Sequence, residues 1–250
     1  MKHFTYGNQQ RIFLNTALGC SARCQYCYLP HLGLGHAPRS IPAEDALALF
    51  YQSDNFIPGS HGTILSLGCY SECWDNENKS ETMKLLSDLV THENYIQMST
   101  KQSISREELK EIDSLALYPG QIVIHLSVPT LLHSEELEPG TAKPKERLSP
   151  LQWMSELNNL CFALYIKPVI PNVTLEDAPE YGRLMETYGV PAVVGPLLVA
   201  GQGAVLVGEG DLKEINNNES KILQDMLAQH GDVYTHSTQI IDNLRMKKSY

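Results

Sequence analysis

Three of the chain's six cysteines lie within eight residues, in the stretch LNTALGCSARCQYCYLP from Leu14 to Pro30. Cys20, Cys24 and Cys27 follow a C-x3-C-x2-C spacing. The N-terminus, MKHFTYGNQQ, lacks the apolar core of an export signal. In such a chain, close-set thiols read as metal ligands, catalytic groups or buried fillers rather than disulfides. A structural zinc site takes four ligands, usually as two close pairs. One tight loop here supplies three, leaving His31 or His36 to supply a fourth. A [4Fe–4S] cluster also has four irons to satisfy with thiolates. With three thiolates one iron keeps an open position, where a substrate or cofactor can bind directly. The cysteines alone leave both metal readings standing.

Further along, LSLGCYSECW places Cys69 and Cys73 four residues apart. On a helical turn the two would face one way, as donor and relay, as part of a second cluster, or as plain structure. Taken alone, Cys69 also suits a small buried filler near a strand end. Cys161, between a helical stretch and an apolar one, reads as core. Lys101 taken alone reads as a surface lysine at a helix approach. Arg147 suits a carboxylate or phosphate, or anchors the loop that holds Glu138. Trp74 and Trp153 read as packing, and Tyr26 and Tyr28 at least as aromatics packed about the cysteine loop. The nine histidines form no H-x3-H or HExxH pattern, and the GQG at Gly201 is too short for a nucleotide loop.

Something must position these groups. Apolar runs alternate with helical patterns along the chain. RIFLNTALG, TILSLG, YIQMST, QIVIHLSV, CFALYIKPVI and PAVVGPLLV read as six strands. PAEDALALFYQ, SETMKLLSDLVTH, SREELKEIDSLAL, PLQWMSELNNL and LEDAPEYGRLMETYG read as the helices between them. Pro42 and a Ser105–Glu108 capping box mark two helix starts. This alternation predicts a parallel sheet with crossover helices, either open and doubly wound or a partial barrel. Both gather ligands at the carboxyl ends of strands, where the cysteine loop, CYSEC, TK and SVP all fall. AGQGAVLVGEG is glycine-rich and ambiguous, and NNNESKILQDMLAQ reads as one more helix with an Asn cap.

The 250 residues, 42% hydrophobic and 19% charged, suffice for a packed core. No run of 18 apolar residues suggests a membrane span, so a cytoplasmic protein is expected. The net charge of -10 disfavours nucleic acid as partner without excluding a local basic groove. The basic RMKK near the C-terminus reads as a solvated end.

A C-x3-C-x2-C loop directly after a first strand, with Tyr26 before the last cysteine and six βα units, resembles the radical S-adenosylmethionine (SAM) superfamily. The resemblance implies an α/β fold, a partial (β/α)6 TIM-like barrel with parallel strands over residues 1–200. Residues 201–250 would form a C-terminal extension packed on the same domain. It also implies a [4Fe–4S] cluster on Cys20, Cys24 and Cys27, whose open iron chelates SAM. Reduction by an external flavodoxin- or ferredoxin-type donor then yields a 5′-deoxyadenosyl radical that takes hydrogen from a substrate.

Within that superfamily the chain resembles the spore photoproduct lyase and DNA-repair-photolyase-like branch. CQYCYL, LSLGCYSE, STK, LSV, LEPGTAKPKERL and KPVIP recur in order from residue 18 to about 171. The matching positions imply that Cys69 returns a hydrogen atom to the product radical. They imply that Ser71, Lys101 and Ser127 hold SAM, and that Tyr26 and Tyr28 take part in radical transfer. Glu72 falls where many radical SAM enzymes keep an acid for the SAM amine. Only 19 residues precede Cys20, and nothing after residue 171 matches the lyase's DNA grip. The expected substrate is therefore a small molecule or peptide, with a thymine lesion in DNA as the alternative and a non-catalytic zinc protein as the other.

Overall fold

The computed structural model describes residues 3–200, 212–215 and 218–248. In chain order the strands are β1 (Thr5–Gly7), β2 (Arg11–Leu14), β3 (Ala17–Leu18), β4 (Arg39–Ser40), β5 (Ile64–Leu67), β6 (Ile96–Thr100), β7 (Ile122–Ser127), β8 (Leu160–Val169), β9 (Ala192–Pro196), β10 (Leu198–Ala200), β11 (Leu212–Glu214) and β12 (Val233–Tyr234). The helices are α1 (Ala43–Tyr51), α2 (Lys79–Leu89), α3 (Arg106–Leu115), α4 (Ser134–Leu137), α5 (Pro144–Arg147), α6 (Ala178–Tyr188), α7 (Glu219–Leu227) and α8 (Thr238–Lys248).

The main sheet runs β1-β2-β5-β6-β7-β8-β9-β12. Every neighbouring pair from β2 to β12 is parallel, and only β1 runs antiparallel, against β2. The two edge strands do not pair with each other, so the sheet stays open. β3–β4 and β10–β11 form separate two-stranded ladders. All six strands expected from the sequence are present; β1 and β12 are additions that its short runs did not disclose. The strands are apolar on the outer face, which helices cover, and at the lower end of the inner face. Leu85, Leu86 and Leu89 of α2, Leu109 and Ile112 of α3, and Leu184 and Met185 of α6 share one core with Leu65, Met98, Ile124, Leu164 and Val194.

The helix starts follow the expected chemistry. In α3 the Glu108 N–H donates to Ser105 Oγ at 3.2 Å and the Ser105 N–H to Glu108 Oε2 at 2.8 Å. Asn218 stands at the start of α7, yet its side chain makes no capping bond. PLQWMSELNNL departs from expectation, forming a 3-10 helix over Ser149–Glu156. The buried Asp113 carboxylate takes the N–H groups of Asn158, Asn159 and Leu160, drawing the chain straight into β8.

Because strand side chains alternate, the inner face stacks in three tiers. The lowest is apolar: Ile64, Tyr95, Val123, Ala163 and Val193 pack around Ile240 and Ile241 of α8, which plugs the bottom. Two residues further along those strands stand Ser66, Gln97, His125, Tyr165 and Gly195. Two further still come Gly68, Ser99, Ser127 and Lys167. The RMKK end is therefore no free tail. The Arg245 guanidinium donates to Ser60 O at 2.9 Å and to Gly62 O at 2.5 Å, and the Lys248 ammonium lies 3.2 Å from the Tyr118 ring centroid. The glycine-rich residues 201–211 lie outside the described residues.

Candidate functional site

Small side chains in the upper tier (Gly68, Ser99, Ser127) leave a space where closed barrels are usually filled. The result is a cavity of about 370 Å³ at the carboxyl ends of the strands. The ten residues to which the resemblance gives a part in cluster, SAM or radical chemistry border it: Cys20, Cys24, Cys27, Tyr26, Tyr28, Cys69, Ser71, Glu72, Lys101 and Ser127. A larger polar groove, about 990 Å³, runs outside along Lys79, Glu108 and Trp153 but touches none of the cysteines.

The cysteine loop is held by its backbone. Gly19 N–H donates to Tyr70 O at 2.9 Å and Cys20 N–H to Gly35 O at 3.2 Å. On the other side, Gln25 N–H donates to Leu137 O and Gly140 N–H to Ala22 O, both at 2.9 Å. A Cβ on Gly140 would stand 2.7 Å from the Ala22 backbone, so only glycine lets the two loops meet. The EPGT segment is thus a brace for the cysteines.

A buried ion pair anchors that brace. Arg147 Nη1 lies 2.6 Å from Glu138 Oε2, with both side chains almost fully buried. The same guanidinium donates to Ala142 O at 2.6 Å and to Ser127 O at 3.1 Å, tying the loop to the end of β7. The Tyr26 hydroxyl donates to the other Glu138 oxygen. Of the two sequence readings of Arg147, the loop anchor is the one observed.

Burial pushes the Cys20 thiol up to about 12 and the Cys24 thiol up to about 11, and raises Cys27 as well. The Lys101 ammonium pulls Cys24 and Cys27 the other way. Buried thiols in this state exchange their protons for a metal when one binds. Among the described residues, no three His, Cys, Asp or Glu side chains converge closely enough to hold a single ion. His36 instead turns Nδ1 to Cys20 O at 3.4 Å, and His31 is exposed. Three thiols around one cavity, without a histidine closing the set, fit a multi-iron cluster better than tetrahedral zinc.

Ser71 Oγ and Ser127 Oγ are buried without a hydrogen-bond partner among the described residues. Orphaned buried hydroxyls are uncommon and mark places where a bound group completes the bonding. Lys101 stands beside them, its ammonium 5.8 Å from the Tyr26 ring centroid. Glu72 is more committed than its sequence position suggested. Its Oε1 accepts from Trp74 N–H at 3.1 Å and from Thr100 Oγ1 at 2.5 Å, and its Oε2 from Lys101 N–H at 2.8 Å. It clamps the loop after β5 to the end of β6. Burial raises its pKa while these donors oppose the rise.

Burial raises the pKa of Cys69, which keeps the S–H intact at neutral pH. The Tyr6 and Tyr28 hydroxyls lie close to Cys69 and act to lower the pKa of its thiol. Cys69 and Cys73 do not face together, because the segment is a turn rather than a helix. Cys73 enters the outer core, where its thiol approaches Ser99 O at 3.5 Å. Gly68, at φ +72°, makes room for it, since a Cβ there would stand 2.5 Å from Cys73 Cβ.

The sequence reading missed the middle tier. Arg11 Nε donates to Ser66 Oγ at 2.7 Å. The Gln97 amide is satisfied with its oxygen 2.9 Å from an Arg11 N–H and its nitrogen 3.1 Å from His125 Nε2 and 3.2 Å from Ser237 Oγ. That orientation makes His125 Nε2 an acceptor and leaves the proton on Nδ1, which has no partner among the described residues. Burial, with Arg11 adding to it, lowers the His125 pKa to about 3, so the ring is neutral. The usable signal was the polar residue in the middle of each apolar strand run.

No protein-family model matches the sequence, and no curated protein matches it. By structure the chain is similar to Streptococcus suis SuiB bound to S-adenosylmethionine, with a TM-score of 0.60 and 14% identity over 91% of this chain and 51% of SuiB. SuiB bound to its precursor peptide SuiA superposes with a TM-score of 0.62 at 14% identity, over 94% and 50%. Methylornithine synthase (PylB) gives 0.52 at 14% identity, over 88% of this chain and 63% of that one. The chain thus spans about half the length of SuiB. At this identity the likeness is one of fold: an α/β architecture with a mostly parallel central sheet, shared with a SAM-bound protein and with methylornithine synthase.

Proposed function

We propose that this chain is a radical SAM enzyme. The observation that carries the reading is the convergence on one cavity of the C-x3-C-x2-C thiols and two orphaned serine hydroxyls, Ser71 and Ser127. Cys20, Cys24 and Cys27 would hold a [4Fe–4S] cluster. When bound and reduced, that cluster supplies the electron that splits SAM into methionine and a 5′-deoxyadenosyl radical. Lys101 places an ammonium for the SAM carboxylate, and Ser71 and Ser127 give it hydroxyl partners. Glu72 keeps at most one lone pair for the SAM amine, because its other contacts hold the loop.

Cys69 sits where a substrate radical in the cavity can be quenched. Its S–H bond breaks, a C–H bond forms on the substrate, and a thiyl radical remains. The adjoining Tyr28 or Tyr6 O–H can return a hydrogen atom to that sulfur, leaving a phenoxyl radical that one electron from the external reductant and one proton would restore to the phenol. This disposition follows the spore photoproduct lyase branch, but the acidic chain favours a small molecule or peptide over DNA. SuiB, bound to its precursor peptide, is a precedent for a peptide in this fold.

The test is anaerobic purification and reconstitution. A brown protein with several irons per chain, forming 5′-deoxyadenosine from SAM with a flavodoxin- or ferredoxin-type reductant, is the expected result. One zinc per chain, no iron and no SAM cleavage would overturn it.

A further inference from the structure

Arg11, beside the middle tier, and Lys167, from the upper tier, bring more positive charge to the cavity than its surroundings explain. The chain carries a net charge of -10, yet among the described residues the cavity is bordered by Arg11, Lys101 and Lys167 and by one acid, Glu72, already tied to the loop and β6. Lys101 is taken up by the SAM reading. Arg11 and Lys167 are not. Among the described residues neither makes an ion pair, and Arg11 has only Ser66, the Gln97 amide and the face of Phe13, 4.3 Å from the guanidinium carbon. Glu214 acts on Lys167 only through space. Two unpaired cations in a largely buried cavity repel each other and have lost much of their hydration, a costly arrangement unless a counter-charge arrives.

The strands are shaped around this pair. Gly195 leaves the space that the lysine tip occupies: a Cβ there would collide with Lys167 Cε. His125 adds a neutral donor: its Nδ1 is buried, unpartnered and part of a residue bordering the same cavity. Gln97 holds His125 and Arg11 in register from one amide.

We infer that this floor recognises an oxyanion of the substrate, a carboxylate or phosphate, gripped by the Arg11 guanidinium and the Lys167 ammonium with His125 Nδ1–H as a third donor. The inference deepens the radical SAM reading of the same cavity by naming the substrate class. The anion anchors one end of the substrate at the floor and leaves its other end toward the cysteine loop and Cys69.

Isothermal titration of the reconstituted full-length chain, with SAM in excess to occupy Lys101, tests this with two probes, inorganic phosphate and succinate. One of them should bind at one site, and which one does separates phosphate from carboxylate. Arg11→Gln and Lys167→Met should each weaken that binding about tenfold or more, the loss expected for a hydrogen bond to a charged group, and Arg11→Lys should restore part of it. Near-UV circular dichroism checks each fold; should Arg11→Gln not fold, Lys167→Met decides. Absence of binding by either probe, or binding indifferent to both substitutions, overturns the inference even where SAM is cleaved. Binding that depends on Arg11 and Lys167 in a protein that never cleaves SAM would leave the anion site standing and remove the radical SAM reading.

Discussion

The Cys69 thiol and the Tyr28 hydroxyl stand close together in the lining of one cavity, so the loop after β5 and the cysteine loop meet at its wall. Forty-one residues separate the two along the chain, and only the parallel pairing of β2 with β5 brings their loops side by side. A hydrogen-atom donor placed beside a phenol can be recharged without leaving the site.

Cys69→Ala should therefore keep SAM cleavage but alter product distribution or stall turnover. Chromatography of 5′-deoxyadenosine and products from the same reaction measures both. Products and rate unchanged from wild type would make Cys69 structural. Tyr28→Phe should show a milder form of the same defect, since Tyr6 remains close to the thiol.

Cys24→Ala should remove iron and all reductant-driven 5′-deoxyadenosine. Iron analysis and the visible spectrum report the first loss, chromatography the second. Continued SAM cleavage in this variant would rule out the three-thiol cluster.

Breaking the brace should cost stability before it costs chemistry. Arg147→Met strands the buried Glu138 carboxylate, a loss of about 3–5 kcal/mol. Arg147→Met with Glu138→Gln removes both charges and should recover part of it. Gly140→Ala forces a methyl onto the Ala22 backbone, and should cost about 1–3 kcal/mol and lower iron content. Urea titration with parallel iron analysis follows each. An Arg147→Met protein as stable as wild type would contradict the anchoring role.

His125 gives a pH signature. Its folded pKa, lowered to about 3, lies below its unfolded value near 6.5. The unfolded chain therefore binds the extra proton, and stability falls as pH drops from about 6.5 toward 3, by at most ~1.4 kcal/mol per pH unit. Above that window His125 contributes no slope. His125→Gln should flatten the wild-type curve between about pH 5 and 6.5 in denaturant titrations. Parallel curves for the two proteins would show that the ring is not buried neutral.

Much of the site was legible because its signals are local. The C-x3-C-x2-C loop lies within one turn-rich segment, and Ser71 and Lys101 follow, while Ser127 ends, a recognisable apolar strand. Parallel strands deliver their carboxyl-end loops to one rim, so order along the chain translates into neighbourhood. The capping box at Ser105–Glu108 was readable for the same reason: all its partners lie within four residues.

Arg11, His125 and Lys167 escaped because single polar residues inside apolar runs look like interruptions. Their meaning depends on which way the strand faces and on what the neighbouring strands hold at the same height. The pairing of Cys69 with Tyr6 and the burial of Arg147 against Glu138 are likewise contacts between segments with no shared local pattern. The amino-acid sequence by itself determined the thiol triad, the strand–helix alternation and hence the parallel sheet, all properties of short-range spacing. Only the tertiary structure decided that Cys73 leaves the cavity, that Glu72 is a clamp and that two cations, Arg11 and Lys167, share the cavity without an ion pair among the described residues. Those depend on side-chain direction and on distances across the barrel, which spacing along a chain does not encode.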